Sequence, residues 1–193
     1  MQLKILYALI LCMIFLLYPI LNNETQQLHI VKTWVDDYIP LIPVFSIPYL
    51  LYIPYITFTL TFFVFFSKYK HSITFSVISC ILIASLFYVF YQTTVPRTEI
   101  LSRDLFSRLI ELIYLIDKPY NCFPSLHVTL SVLVCFYWKK LLPGACQLSL
   151  FFLTFLIVLS TVFVKQHYIP DLLSGIILAL LGYFIGMFFS QEK

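Results

Sequence analysis

Charge is scarce in this chain. Asp, Glu, Lys and Arg supply 11% of its 193 residues, where a soluble domain carries roughly 25%, and mean hydropathy is +0.95. That excludes a water-soluble globule, because too few polar side chains remain to hydrate its surface. Basic residues are sparse as well. The net charge is +3 and no run of Lys or Arg is long enough to follow a phosphate backbone, which excludes nucleic acid as a partner. Five cysteines (Cys12, Cys80, Cys122, Cys135 and Cys146) have the spacing of neither a metal clip nor a disulfide framework. They read as small apolar filler. Repeats, linkers and a second domain are missing too, so residues 1–193 read as one unit.

Abundant instead are apolar runs near the length of a membrane-spanning helix, about 20 residues. Six spans are expected: Leu3–Leu21, Leu41–Phe66, Ser72–Tyr91, His127 to about Leu142, Leu148–Val164 and Leu172–Phe189. The fold class is therefore an all-α integral membrane protein, a bundle of six transmembrane helices. The first run resembles a signal peptide, but Pro19-Ile20-Leu21-Asn22 lacks a small-residue cleavage pattern, so it is expected to be retained. Six spans put both termini on one side with loops 67–71 and 139–147. That side carries Lys4, Lys68, Lys70, Lys139, Lys140 and Lys193 against Glu192. The other carries Lys32, Arg97, Arg103, Arg108, Lys118 and Lys165 with the remaining acids. The totals tie, and the lysine pairs in two very short loops tip the expectation to cytoplasmic termini in a cell membrane.

Between the third and fourth spans, Arg103, Asp104, Ser107, Arg108 and Glu111 recur on one helical face. Leu105, Phe106, Leu109, Leu112, Ile113 and Ile116 take the other. The pattern predicts an interfacial helix over about 102–116, capped by Ser102, with Asp104/Arg108 and Arg108/Glu111 at pairing distance. The second span holds Pro40, Pro43, Pro48 and Pro54, tolerated where neighbouring groups satisfy the freed carbonyls.

Two polar islands stand at the mouths of apolar runs: Asn121-Cys122-Phe123-Pro124-Ser125-Leu126-His127, and Lys165-Gln166-His167-Tyr168-Ile169-Pro170-Asp171. Six spans place both islands and Arg97 on the same face of the membrane, the extracytoplasmic one. A titratable group beside a hydrophobic run is costly to bury and marks a site. Pro124 suits the first position of a helix. The amides of Ser125, Leu126 and His127 would then point out of the helix end as an anion site, with the Ser125 hydroxyl adding a donor. His127 stands at the rim as a proton donor. Ile169 before Pro170 resists helix, which leaves His167 on a loop where Asp171 can orient its imidazole. Lys165 and the always-charged fork of Arg97 supply positive charge. His127, His167 and Asp171 would also suit zinc chemically, but phosphate chemistry accounts for the same residues, and no metal or other cofactor is expected. His29 and His71 lack such company and read as surface residues.

These islands resemble the type-2 phosphatidic acid phosphatase superfamily of membrane lipid phosphatases. Its motifs are Lys-x6-Arg-Pro, Pro-Ser-x-His and Ser-Arg-x5-His-x3-Asp. Pro124-Ser125-Leu126-His127 matches the second, and Ser160, His167 and Asp171 match the third in spacing. Thr161 replaces the third motif's arginine, and Thr98 and Phe90 replace the proline and lysine of the first. Lys165 is the expected substitute for the arginine, sharing a helical face with position 161 if the segment is helical to Gln166. Phe-Pro-Ser-Leu-His with Lys-Gln-His-Tyr is most similar to the branch near inositol phosphorylceramide synthases. The resemblance implies a nucleophilic His167 charged by Asp171, His127 protonating the leaving group, and Arg97, Ser125, Lys165 and the Leu126 amide holding phosphate. The implied partner is a membrane lipid phosphate within the bilayer. Metal-independent hydrolysis is the leading expectation, with head-group phosphotransfer and a decayed lipid-binding protein as alternatives.

Overall fold

The computed structural model describes residues 1–24 and 27–190, which leaves Glu192 and Lys193 of the topology expectation outside the described residues. Among the described residues the chain is built from helices, with two isolated bridges, His29 with Thr93 and Thr94 with Tyr120. The first apolar run is split into α1 (Gln2–Phe15) and α2 (Leu17–Leu21). Pro19 accounts for the break, since it lacks the N–H that would bond the Phe15 carbonyl and its ring presses on that carbonyl. A 3-10 turn at Trp34–Asp37 and another at Pro43–Phe45 lead into α3 (Ser46–Phe66), where Pro54 alone lies inside the helix. Then follow α4 (Lys70–Phe90), α5 (Leu105–Ile116), α6 (Leu126–Lys139), α7 (Gly144–Phe163) and α8 (Ile169–Ser190).

Five stretches are long and apolar enough to cross a membrane: Gln2–Leu21, Pro43–Phe66, Lys70–Phe90, Gly144–Phe163 and Ile169–Phe189. α6 is apolar but has 14 residues, about 21 Å at 1.5 Å each, against a hydrocarbon core of roughly 30 Å. The six expected spans thus resolve into five of full length and one short, buried helix. α6 and α8 lie at the centre, with α8 packed most extensively on α4 and α6. Close approach is possible because small groups line that seam. A Cβ at Gly175 would sit 2.9 Å from the Ser125 carbonyl oxygen, and one at Gly182 or Gly186 would meet Cys80 or Ser76 of α4 more closely still. The buried Tyr137 hydroxyl bonds Ser72 Oγ at 2.6 Å and Ser76 Oγ at 2.8 Å, so the polar atoms in this seam satisfy one another. Phe151, Phe152, Phe184 and Phe188 point outward, as side chains solvated by lipid do.

The segment between α4 and α6 departs from its expected pattern. Asp104, not Ser102, caps α5, accepting from the amides of Phe106 at 2.8 Å and Ser107 at 3.2 Å. The Ser102 hydroxyl donates to Asp104 instead. Ser107, Ile110 and Ile113 form the buried face, while Leu105 and Leu112 are exposed. Ser107 belongs inside because its hydroxyl also bonds Asp104. Arg108 pairs with neither Asp104 nor Glu111; the ion pairs among the described residues are Lys32–Asp37 and His167–Asp171. His29 and His71 are half-buried rather than surface residues: His29 stacks on Tyr91 and His71 bonds the Tyr7 hydroxyl.

The two ends of the bundle differ in chemistry. At one, Lys4 donates to the Phe65 carbonyl and Lys140 lies over the Tyr69 and Tyr183 rings. The other gathers the starts of α6 and α8, the end of α7 and the segment 91–98, and there the islands meet.

Candidate active site

The first island is held from beneath by α4. The Tyr88 hydroxyl donates to the Pro124 carbonyl at 2.8 Å, and the Phe123 amide donates to Thr93 Oγ1 at 2.8 Å. Ser125 is the N-cap and α6 starts at Leu126, two residues later than the expected first helical position at Pro124. The expected open anion site is partly occupied. The Ser125 amide donates to the Asp171 carbonyl at 3.2 Å, and its hydroxyl oxygen caps the Val128 amide at 3.4 Å. The amides of Leu126 and His127 remain in the first turn, where helix geometry provides no carbonyl.

The second island is a tight reversal, not a continued helix. α7 ends at Phe163, Lys165 sits at φ 57°, and the amides of Gln166 and His167 both return to the Thr161 carbonyl at 3.0 Å. The helical face expected to join positions 161 and 165 is therefore not formed. Lys165 Nζ donates to the Ile39 carbonyl and lines a small polar pocket with Lys32, Asp36, Asp37 and Tyr168. Partial burial there pulls its ammonium below the usual lysine range. Asp36, 3% exposed, anchors the reversal from outside. One of its oxygens accepts the Ile169 amide at 2.8 Å and the other accepts the Thr33 amide and hydroxyl.

Because α8 lies against the first turn of α6, the islands face each other. The rings of His127 and His167 are 6.0 Å apart, centroid to centroid, inclined at 60°. Asp171 is fully buried, and its Oδ2 accepts the Tyr168 amide at 2.8 Å. The same oxygen lies 3.4 Å from His167 Nδ1, an ion-pair distance beyond the roughly 2.7–3.2 Å of a hydrogen bond. His127 is half-buried and flanked by Tyr49 at 4.6 Å and Tyr52 at 4.3 Å. Cys122 is buried beside the site, and burial pushes its thiol well above the usual range, which makes it inert packing.

Arg97 stands at the edge. Its Nη2 donates to the Asp117 carbonyl and its guanidinium lies 4.3 Å over the Tyr114 ring, while Nε and Nη1 are buried without a partner. Thus His127, His167, Asp171, Ser125 and Leu126 converge, Arg97 joins them through Asp117, and Lys165 turns to a different pocket. Sequence reasoning passed over Asp117, Tyr49, Tyr52 and Asp36. Asp117 carried a signal, since an acid at a helix C-terminus opposes the helix dipole.

His127 and Asp117 sit at the polar end of a cavity of about 730 Å³. Its walls run from Tyr49 to Phe65 on α3 and from Ala8 to Tyr18 on α1 and α2, and are mostly apolar. Seventeen residues of helix on one wall span about 26 Å at 1.5 Å each, enough for an extended hydrocarbon chain. Among the described residues no group of three or more His, Cys, Asp or Glu converges as metal ligands would.

A helical membrane bundle with His127 at the head of an apolar cavity and His167 facing it defines the class: a multi-pass membrane protein. The sequence matches the PAP2 superfamily over residues 25–185. The chain therefore belongs to that superfamily, whose type-2 phosphatidic acid phosphatase motifs its islands resemble. The crystal structure of Aquifex aeolicus LpxE superposes with a TM-score of 0.54 at 17% identity, covering 90% of this chain and 92% of that one. At that identity the likeness concerns the fold. No curated protein matches the sequence.

Proposed function

We propose that this chain is a membrane lipid phosphatase that hydrolyses a phosphomonoester or diphosphate lipid through a phosphohistidine on His167, without a metal. The observation that carries it is that His127, at the polar end of a hydrocarbon-sized cavity, has the His167 ring 6.0 Å away. In the first step His167 Nε2 attacks phosphorus, the N–P bond forms and the P–O bond to the lipid breaks, and His127 gives its proton to the departing oxygen. In the second, water attacks phosphorus with His127 taking its proton, the N–P bond breaks, and phosphate leaves. Asp171 stabilises the charge on His167. The free Arg97 nitrogens and the first-turn amides of α6 face the oxygens where transition-state charge collects. The site opens on the extracytoplasmic side, with cytoplasmic termini.

Phosphate release from a panel of lipid phosphates in EDTA, beside His167→Ala, tests this. Release that persists in chelator and disappears in the mutant is expected; release unchanged in His167→Ala sinks the mechanism, and loss in chelator restores a metal site.

A second reading is head-group transfer to an acceptor alcohol, as in the branch near inositol phosphorylceramide synthases. One observation favours it. With Lys165 engaged by Ile39, Arg97 alone of the two expected clamp cations keeps unpartnered nitrogens, which suits a singly charged phosphodiester better than a doubly charged monoester. Product analysis with and without acceptor alcohol separates the two.

A further inference from the structure

Asp117 takes no part in the scheme above, yet three other parts of the chain converge on it. The Tyr18 hydroxyl donates to Oδ1 at 2.7 Å and Asn22 Nδ2 at 3.2 Å, while the Tyr49 hydroxyl donates to Oδ2 at 2.7 Å. Its backbone carbonyl receives Arg97. Three donors thus meet its two carboxyl oxygens. An acidic side chain also stands at the C-terminal end of α5, the pole the helix dipole disfavours for it. A residue that breaks a local rule and gathers three segments around itself is placed for something other than the helix.

Tyr49 shows what that is. One edge of its phenol is pinned to Asp117, and its face stacks on His127 at 4.6 Å with 28° between the planes. Tyr52 closes the other contact at 4.3 Å. An imidazole packed on two phenols takes its plane from them, and the plane of Tyr49 is fixed at its hydroxyl end by the carboxylate. Since the Asp117 carbonyl also holds Arg97, one residue sets both the ring expected to move the proton and the guanidinium expected to meet phosphate.

We propose that Asp117 is a positioning residue for His127, acting through Tyr49. For its kinetic consequence alone, the inference rests on the phosphatase mechanism proposed above.

The full chain, labelled with 15N at histidine and held in detergent micelles, gives the direct test. The chain has 4 histidines, so single replacements assign the imidazole signals. Asp117→Asn and Tyr49→Phe are each expected to move the His127 resonances, the double variant to move them no further, and those of His29 and His71 to stay, which also reports an intact fold. His127 signals at wild-type positions in Asp117→Asn overturn the proposal. The kinetic arm compares an alkyl lipid phosphate with an aryl phosphate, whose leaving group needs no proton. Asp117→Asn is expected to lower kcat at least about tenfold on the alkyl ester, within the range that acid–base catalysis supplies, and to change it little on the aryl ester. Equal losses on both overturn it. If the wild-type chain releases phosphate from neither, the phosphatase reading falls and the imidazole spectra decide on Asp117.

Discussion

Replacing Gly175 by alanine forces apart α6, which carries His127, and α8, which carries Asp171. The added Cβ would lie 2.9 Å from the Ser125 carbonyl oxygen, 3.0 Å from Val128 Cβ and 3.1 Å from Val128 Cγ1, where ordinary contact begins at 3.4 Å. Relief requires about 0.5 Å of separation, the difference between 2.9 and 3.4 Å. The Ser125 carbonyl and Val128 Cβ are backbone-fixed, so α6 or α8 must move as a body. Overpacking of this kind costs about 1–3 kcal/mol. A misplacement of about 1 Å can cost roughly 100-fold in rate, so half of that predicts a loss on the order of tenfold in kcat. The sign is diagnostic. In an open helix position, glycine to alanine stabilises by about 0.4–1 kcal/mol. Thermal unfolding in detergent and phosphate release together make the assay. A Gly175→Ala protein that is more stable than wild type and equally active would refute the close approach as the device that joins the islands.

Lys165→Gln is expected to leave KM for a lipid phosphate within about twofold, because the ammonium serves Ile39; a tenfold rise would return Lys165 to the phosphate clamp. Asp36→Ala strands the Ile169 amide, which costs about 1–3 kcal/mol when buried, and lowers kcat by loosening the His167 reversal; an unchanged unfolding temperature contradicts this. Tyr88→Phe removes the bond to the Pro124 carbonyl and is expected to destabilise by about 1 kcal/mol, measured by the same unfolding assay. Asp104 is held below the usual carboxylate range, first by the Ser102 hydroxyl and then by Ser107. Its cap is therefore complete above the ordinary carboxylate pKa and is lost as pH falls through the lower folded value. Hydrogen exchange across residues 105–109 should stay slow through mild acid in wild type and be faster at every such pH in Asp104→Ala.

Composition and run length by themselves determined the membrane bundle, because the energetics of lipid allow little else for such a chain. The histidines and Asp171 were legible as candidates, since their titratable groups stand out against an apolar background. The α5 helix was legible as amphipathic, but its inner face was not. Which side of a short helix is covered depends on the neighbour it meets, and Ser107 is buried only because Asp104 turns back to bond it. Lys165 shows the same limit. Helical spacing assigned it to the phosphate, while a single left-handed residue at the end of α7 rotates it to Ile39. Asp117 became part of the site only through Tyr18, Asn22 and Tyr49, which lie 99, 95 and 68 residues away in sequence. Local pattern carries burial preference and backbone bias, whereas a hydrogen bond between distant segments exists only once the helices have packed, and that packing is what the tertiary structure alone decided.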